Sequence, residues 1–110
     1  MSQDEGTLLH ILSAARQAVA FMANSDLPAF LRDEKTQSAV LHQLLVLGEA
    51  VKRLSDDFRL RNPNVPWKKI AGLRDVLIHE YDTVDAEEVW RTVTADLPGL
   101  IRDLERLGPT

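Results

Sequence analysis

Arg74, His79 and Tyr81 fall within the eight-residue run Arg74-Asp75-Val76-Leu77-Ile78-His79-Glu80-Tyr81. A guanidinium is charged at every physiological pH and grips a phosphate through two parallel N–H bonds. An imidazole has its ordinary pKa nearest neutrality, so it can take or give a proton during a reaction. The phenol adds a hydroxyl. A fixed cation, a proton-transfer group and a hydroxyl are the parts that cut a phosphodiester without a metal.

Such parts act only if the chain aims them. Asn62-Pro63-Asn64-Val65-Pro66 is the clearest break in the sequence, and Pro66 suits the first position of a helix. Trp67, Ile70, Leu73, Leu77 and Tyr81 then recur at helical spacing, which predicts a helix through Tyr81 with a bend at Gly72. At about 100° per residue, Arg74 and His79 project about 140° apart on that helix, while Arg74 and Tyr81 share one direction. Asp75 and His79 become i, i+4 neighbours, so the carboxylate can orient the imidazole or raise its pKa. One copy of such a helix does not point Arg74 and His79 at one phosphate. Two copies across a two-fold axis can, and the expectation is a homodimer with a composite site at its interface.

The rest of the chain reads as helices that hold this segment. Leu8, Ile11, Leu12, Ala15, Val19 and Met22 predict a first helix over 7–23, ended by Asn24-Ser25-Asp26-Leu27-Pro28. Val40, Leu41, Leu44, Leu45, Leu47, Val51, Leu54 and Phe58 predict a second over 36–59. Its apolar stripe is wider than one buried face needs, so this helix either lies at the centre of a bundle or packs on another subunit. Gly48 in its middle costs about 1 kcal/mol against Ala, and close approach of a neighbouring helix explains it. Asp85 is a candidate N-cap for the last helix, with Glu88 three residues on in the manner of a capping box. That helix extends over 86–107, with a kink at Pro98 and a stop at Gly108-Pro109. No stretch alternates as a strand does. The expectation is an all-α, four- to five-helix up-and-down bundle forming a single domain over residues 1–110.

Composition narrows the setting. The 110 residues carry no cysteine, which excludes disulfides and thiolate metal sites and fits a reducing cytoplasm. The acidic start Met1-Ser2-Gln3-Asp4-Glu5 is unlike a signal peptide, and no apolar run approaches a membrane span. His10 and His42 stand alone, without metal-ligand spacing, so neither a metal nor a cofactor is expected. The net charge of −4 argues against a generic nucleic-acid coat, but its distribution is uneven. From Lys52 to Arg74 the balance is +5, and from Asp75 to Glu88 it is −6. The candidate site therefore sits on a charge boundary.

Taken in order, these residues resemble a known family. Arg74-x4-His79-x-Tyr81 is similar to the R-x4-H-x-Y signature of HEPN-domain ribonucleases, in the HepT-like toxin branch. The lead Pro66-Trp67-x-x-Ile70, Gly48-Glu49-Ala50 in the second helix, and Asp85 with Val89-Trp90 after the motif also match. Asp75 departs mildly, since many relatives carry Asn there. The resemblance implies a dimeric, metal-independent endoribonuclease that acts as the toxin of a two-gene module. Its partner would be a minimal nucleotidyltransferase antitoxin of the MNT type, able to transfer AMP to the motif tyrosine. By that mapping Arg74 polarises the scissile phosphate, His79 acts as general base or acid, Tyr81 accepts AMP, and Asp75 supports. Glu49 either faces the site in a supporting role or pairs with a nearby Lys or Arg, the second being preferred. RNA is the expected substrate, with neither DNA nor membrane involved. The rival reading is a non-catalytic accessory subunit that binds nucleotide or presents substrate for the nucleotidyltransferase. A purely structural dimeric module is a third.

Overall fold

Ser or Asp starts five helices of this chain, because its side-chain oxygen accepts from an otherwise unpaired amide of the first turn. In the computed structural model, which describes residues 2–107, Ser2 takes the Glu5 amide (3.1 Å), Asp26 that of Ala29 (2.9 Å) and Asp33 that of Thr36 (3.0 Å). Ser55 takes the Phe58 amide (3.1 Å) and Asp85 that of Glu88 (3.0 Å). The α-helices are α1 (Gln3–Phe21), α2 (Leu27–Leu31), α3 (Glu34–Lys52), α4 (Asp56–Arg61), α5 (Trp67–Ala71), α6 (Leu73–Leu77), α7 (Ala86–Arg91) and α8 (Leu97–Leu107), and α5 and α6 start without a side-chain cap. A π-helical turn, Thr92–Asp96, joins α7 to α8. The fold is all-α, as expected; among the described residues β pairing is confined to one bridge, Ile78 with Val84.

The wide stripe on α3 is explained within the chain. Val40, Leu44, Leu47, Ala50 and Val51 are fully buried. Helix α3 packs against α1, α2, α5, α6 and α7, which makes it the central helix. It closes on one continuous apolar cluster that takes in Leu8, Ile11 and Ala15 of α1, Phe30 of α2, Leu77 of α6 and Leu104 of α8. Phe30 and Trp90 pack at a tilt with ring centroids 5.9 Å apart, and Arg16 ties α1 to α8 through Glu105 (2.7 Å). Gly48 faces α5 so closely that a Cβ there would lie 3.0 Å from the Ile70 carbonyl oxygen. The glycine is the price of bringing α5 onto α3.

Several expected boundaries move. The predicted second helix stops at Lys52, and α4 starts afresh on Ser55. A tertiary contact makes that break: Asp4 accepts from the Ser55 amide (2.9 Å) and from its hydroxyl (2.7 Å). Those two bonds, the amide first, hold the Asp4 carboxyl below its usual range. The predicted third helix is broken twice, at Gly72 and again after Leu77. Pro98 has no N–H for the carbonyl of Thr94, and the chain widens ahead of it instead of breaking. There the Leu97 amide reaches back five residues to the Thr92 carbonyl, and the Thr94 hydroxyl donates to Trp90 (2.9 Å). Gly108-Pro109, expected to end the last helix, lies outside the described residues.

Candidate active site

Helix α6 ends at Leu77 because its last residues are recruited into a short hairpin. Ile78 is extended (φ −123°, ψ 124°) and bridges Val84. The Asp85 amide donates to Leu77 (2.9 Å) and the His79 amide to Thr83 (2.8 Å), so residues 78–84 double back on themselves. The Thr83 amide closes the tip onto Glu80 at 3.3 Å. Tyr81 (φ 59°) and Asp82 (φ 56°) are both left-handed, which makes Glu80–Thr83 a type I′ turn. Such turns usually carry Asn-Gly; a left-handed L-residue costs about 1–2 kcal/mol, and Asp tolerates it better than Tyr. Tyr81 therefore projects from the tip and is 98% exposed.

This overturns the helical geometry expected of the motif. Arg74 lies in α6, whereas His79 and Tyr81 lie on the hairpin, so the expected 140° divergence does not describe them. Tyr81 is not part of a core face. Asp75 is exposed, and its carboxylate makes no hydrogen bond or ion pair among the described residues; it does not orient His79. The groups that face the motif are two acids that sequence reasoning left out of the site. Asp82 Oδ1 lies 4.0 Å from the Arg74 guanidinium. Asp85 Oδ2 lies 3.9 Å from His79 Nε2 while its Oδ1 caps α7. Asp85 was legible as a cap and as part of the family pattern; its place beside His79 arises from the hairpin, which the helical periodicity concealed. Glu88 does not complete a capping box, because its carboxylate pairs with Arg91 and the Asp85 amide is already taken by Leu77.

His79 is half-exposed, and Nε2 sits 3.2 Å from the Val76 carbonyl oxygen. A nitrogen must carry its proton to donate to a carbonyl, so this contact selects the Nε2–H tautomer and leaves the lone pair on Nδ1. That nitrogen is the one able to accept a proton. Arg74 is also half-exposed, and no hydrogen bond or ion pair joins it to His79 among the described residues. Glu49 lies on α3 and pairs with Lys52 at 3.1 Å, the preferred of its two expectations. His10 stands 3.2 Å from Arg53. Among the described residues no three histidines or carboxylates gather as metal ligands, and no helix is long and apolar enough to cross a membrane.

Comparison with known proteins finds relatives along most of the chain. A family profile described as ribonuclease HepT-like matches residues 11–107. A protein of Methanocaldococcus jannaschii, provisionally named an RNase, is 41% identical over 100 residues, covering 91% of this chain and 83% of its own. A second from the same organism, named in the same way, is 36% identical over 98 residues, covering 89% and 90%. A protein of Thermococcus cleftensis, named a probable ribonuclease HepT, is 45% identical over 78 residues, 71% of either chain. No solved structure matches.

Proposed function

The chain belongs to the ribonuclease HepT-like family, and from that premise we propose that it is a metal-independent endoribonuclease toxin working as a homodimer. The two-fold axis would set Arg74 of one protomer and His79 of its partner on one RNA phosphate. The observation that carries this reading is the presentation of both side chains to solvent without a shared contact, with Nδ1 of the imidazole left as an acceptor. His79 Nδ1 takes the proton of a ribose 2′-hydroxyl, whose oxygen attacks the adjacent phosphorus. The bond from phosphorus to the 5′-oxygen breaks, that oxygen takes a proton from water, and His79 releases the proton it accepted to solvent. Arg74 binds the phosphate and stabilises the charge that gathers on it at the transition state. Asp75 and Glu49 stand outside this proton path and would support the site through its charge alone.

The products are a 2′,3′-cyclic phosphate and a 5′-hydroxyl. Cleavage by the purified chain is expected to survive EDTA and to leave those ends, which end-group labelling or mass spectrometry of the fragments reads. Loss of activity in chelator, restored by magnesium, would overturn the mechanism.

Control falls to a cognate nucleotidyltransferase antitoxin of the MNT type, in the cytoplasm. The exposed phenol of Tyr81, on its strained turn, suits transfer of AMP to its oxygen with release of pyrophosphate from ATP. An added AMP brings bulk and negative charge beside Arg74, where the RNA backbone must dock. Tyr81→Phe is expected to retain most of the cleavage rate and to escape silencing by the co-expressed antitoxin. Intact mass should rise by AMP in the wild type alone; a gain that persists in Tyr81→Phe places the switch elsewhere.

A further inference from the structure

On the N-terminal side of Arg74 the surface changes sign. Between α4, the loop 62–66 and α5 runs an open groove of about 760 Å³, with Arg59, Leu60, Pro63, Trp67, Lys68 and Lys69 along it. Its floor is rigid. Trp67 is buried, donates its indole N–H to the Asn62 carbonyl (2.9 Å) and packs at a tilt against Phe58, ring centroids 6.1 Å apart. The one carboxylate in the groove, Asp56, is taken up by Arg59 at 2.6 Å. Lys68 and Lys69 are exposed and have no carboxylate within 4.0 Å among the described residues. Leu60 stands 77% exposed at the rim, an apolar surface beside uncompensated cations. Helix α5 leads into α6 through Gly72 alone, which keeps the lysines within six residues of Arg74 in the chain.

We propose that this groove binds the RNA strand flanking the cut, Lys68 and Lys69 each neutralising a phosphate and Leu60 meeting base faces. The inference rests on the reading of Arg74 and His79 as the cleavage site. A single strand matches the groove better than a folded acidic protein does, because exposed apolar Leu60 beside the unpaired lysines offers contact to both a base face and its phosphates. The adjoining hairpin, with Glu80, Asp82 and Asp85, repels the same strand and leaves the basic side as its path.

The test compares Lys68→Gln/Lys69→Gln with Lys68→Arg/Lys69→Arg. Binding of a single-stranded RNA of about 12 nucleotides is titrated against salt in a His79→Ala background, so that no RNA is cut. The Gln pair should lower the slope of log K against log salt by about 1.4 and weaken binding about tenfold near 0.1 M salt. The Arg pair should restore both. In the catalytically intact chain the Gln pair should raise KM for the oligonucleotide with kcat held, and leave cleavage of a dinucleoside monophosphate unchanged, since that substrate has no flanking phosphate. An unchanged salt slope overturns the proposal. So does an unchanged slope accompanied by loss of antitoxin binding, which makes the groove a protein-docking surface. A wild type that binds RNA with the lysine-dependent slope but cuts neither substrate leaves the groove standing and removes the cleavage reading instead.

Discussion

His79→Ala is expected to lower the single-turnover rate of RNA cleavage by about 10²–10⁴-fold, the range lost with a positioned general acid–base group. Stability should change by less than about 0.5 kcal/mol, because the imidazole is half-exposed and its one hydrogen bond is to the Val76 carbonyl. Arg74→Ala should cost a comparable factor, since in the proposed mechanism the guanidinium meets the charge developing on the phosphate. Arg74→Lys should recover only part of it: an ammonium supplies charge without the planar, two-pronged geometry. Thermal melts run beside the kinetics separate lost chemistry from lost fold. A His79→Ala protein that cuts RNA at the wild-type rate removes the histidine from the mechanism.

Gly48→Val is expected to damage the fold and the site together. A Cβ at this position already meets the Ile70 carbonyl oxygen at 3.0 Å. That oxygen belongs to the backbone of α5 and cannot swing aside as a side chain would. The two further methyls force α5 away from α3, at a cost of about 1–3 kcal/mol for overpacking. In a domain of this size each kcal/mol lowers Tm by about 4–8 °C. Because α5 leads into α6, displacing it by about 1 Å moves Arg74 and should reduce cleavage of the folded fraction by about 10²-fold. Gly48→Ala should be milder, since the better helix propensity of Ala returns about 1 kcal/mol. Denaturant titration and cleavage at a temperature where both variants are folded read the two effects. Full stability in Gly48→Val would contradict the close packing of α3 on α5.

Much of the architecture was legible because it is written in periodicity and caps. The helical stripes of α1 and α3, the restart after Pro66 and the cap at Asp85 follow from residue types within one or two turns. Gly48 was legible too, since a glycine inside a strongly apolar helix needs a neighbour to explain it. What escaped the sequence was decided by contacts across it. Ser55 starts a helix because Asp4, 51 residues away, fixes its amide and hydroxyl. The motif segment misled for a different reason. Leu73, Leu77 and Tyr81 keep helical spacing, and no Gly or Pro interrupts 73–81, yet Ile78 leaves the helix to pair with Val84. The available signal was the β-branched set Ile78, Thr83 and Val84 around a tip containing Asp82, which is weak without a glycine. With the hairpin unseen, Asp75 was given the place beside His79 that Asp85 holds.

In the proposed mechanism Arg74 and His79 of different protomers serve one phosphate. Mixing Arg74→Ala with His79→Ala protein, after partial unfolding and refolding to exchange protomers, tests it most directly. Each parent should be inactive alone. In a mixed dimer one interface holds an intact Arg74 facing an intact His79, so the mixture should regain up to about a quarter of wild-type activity if protomers assort at random. The regain should track the fraction of mixed dimer measured by native mass spectrometry. A mixture that contains the mixed dimer yet cuts no faster than either parent contradicts a site shared between protomers.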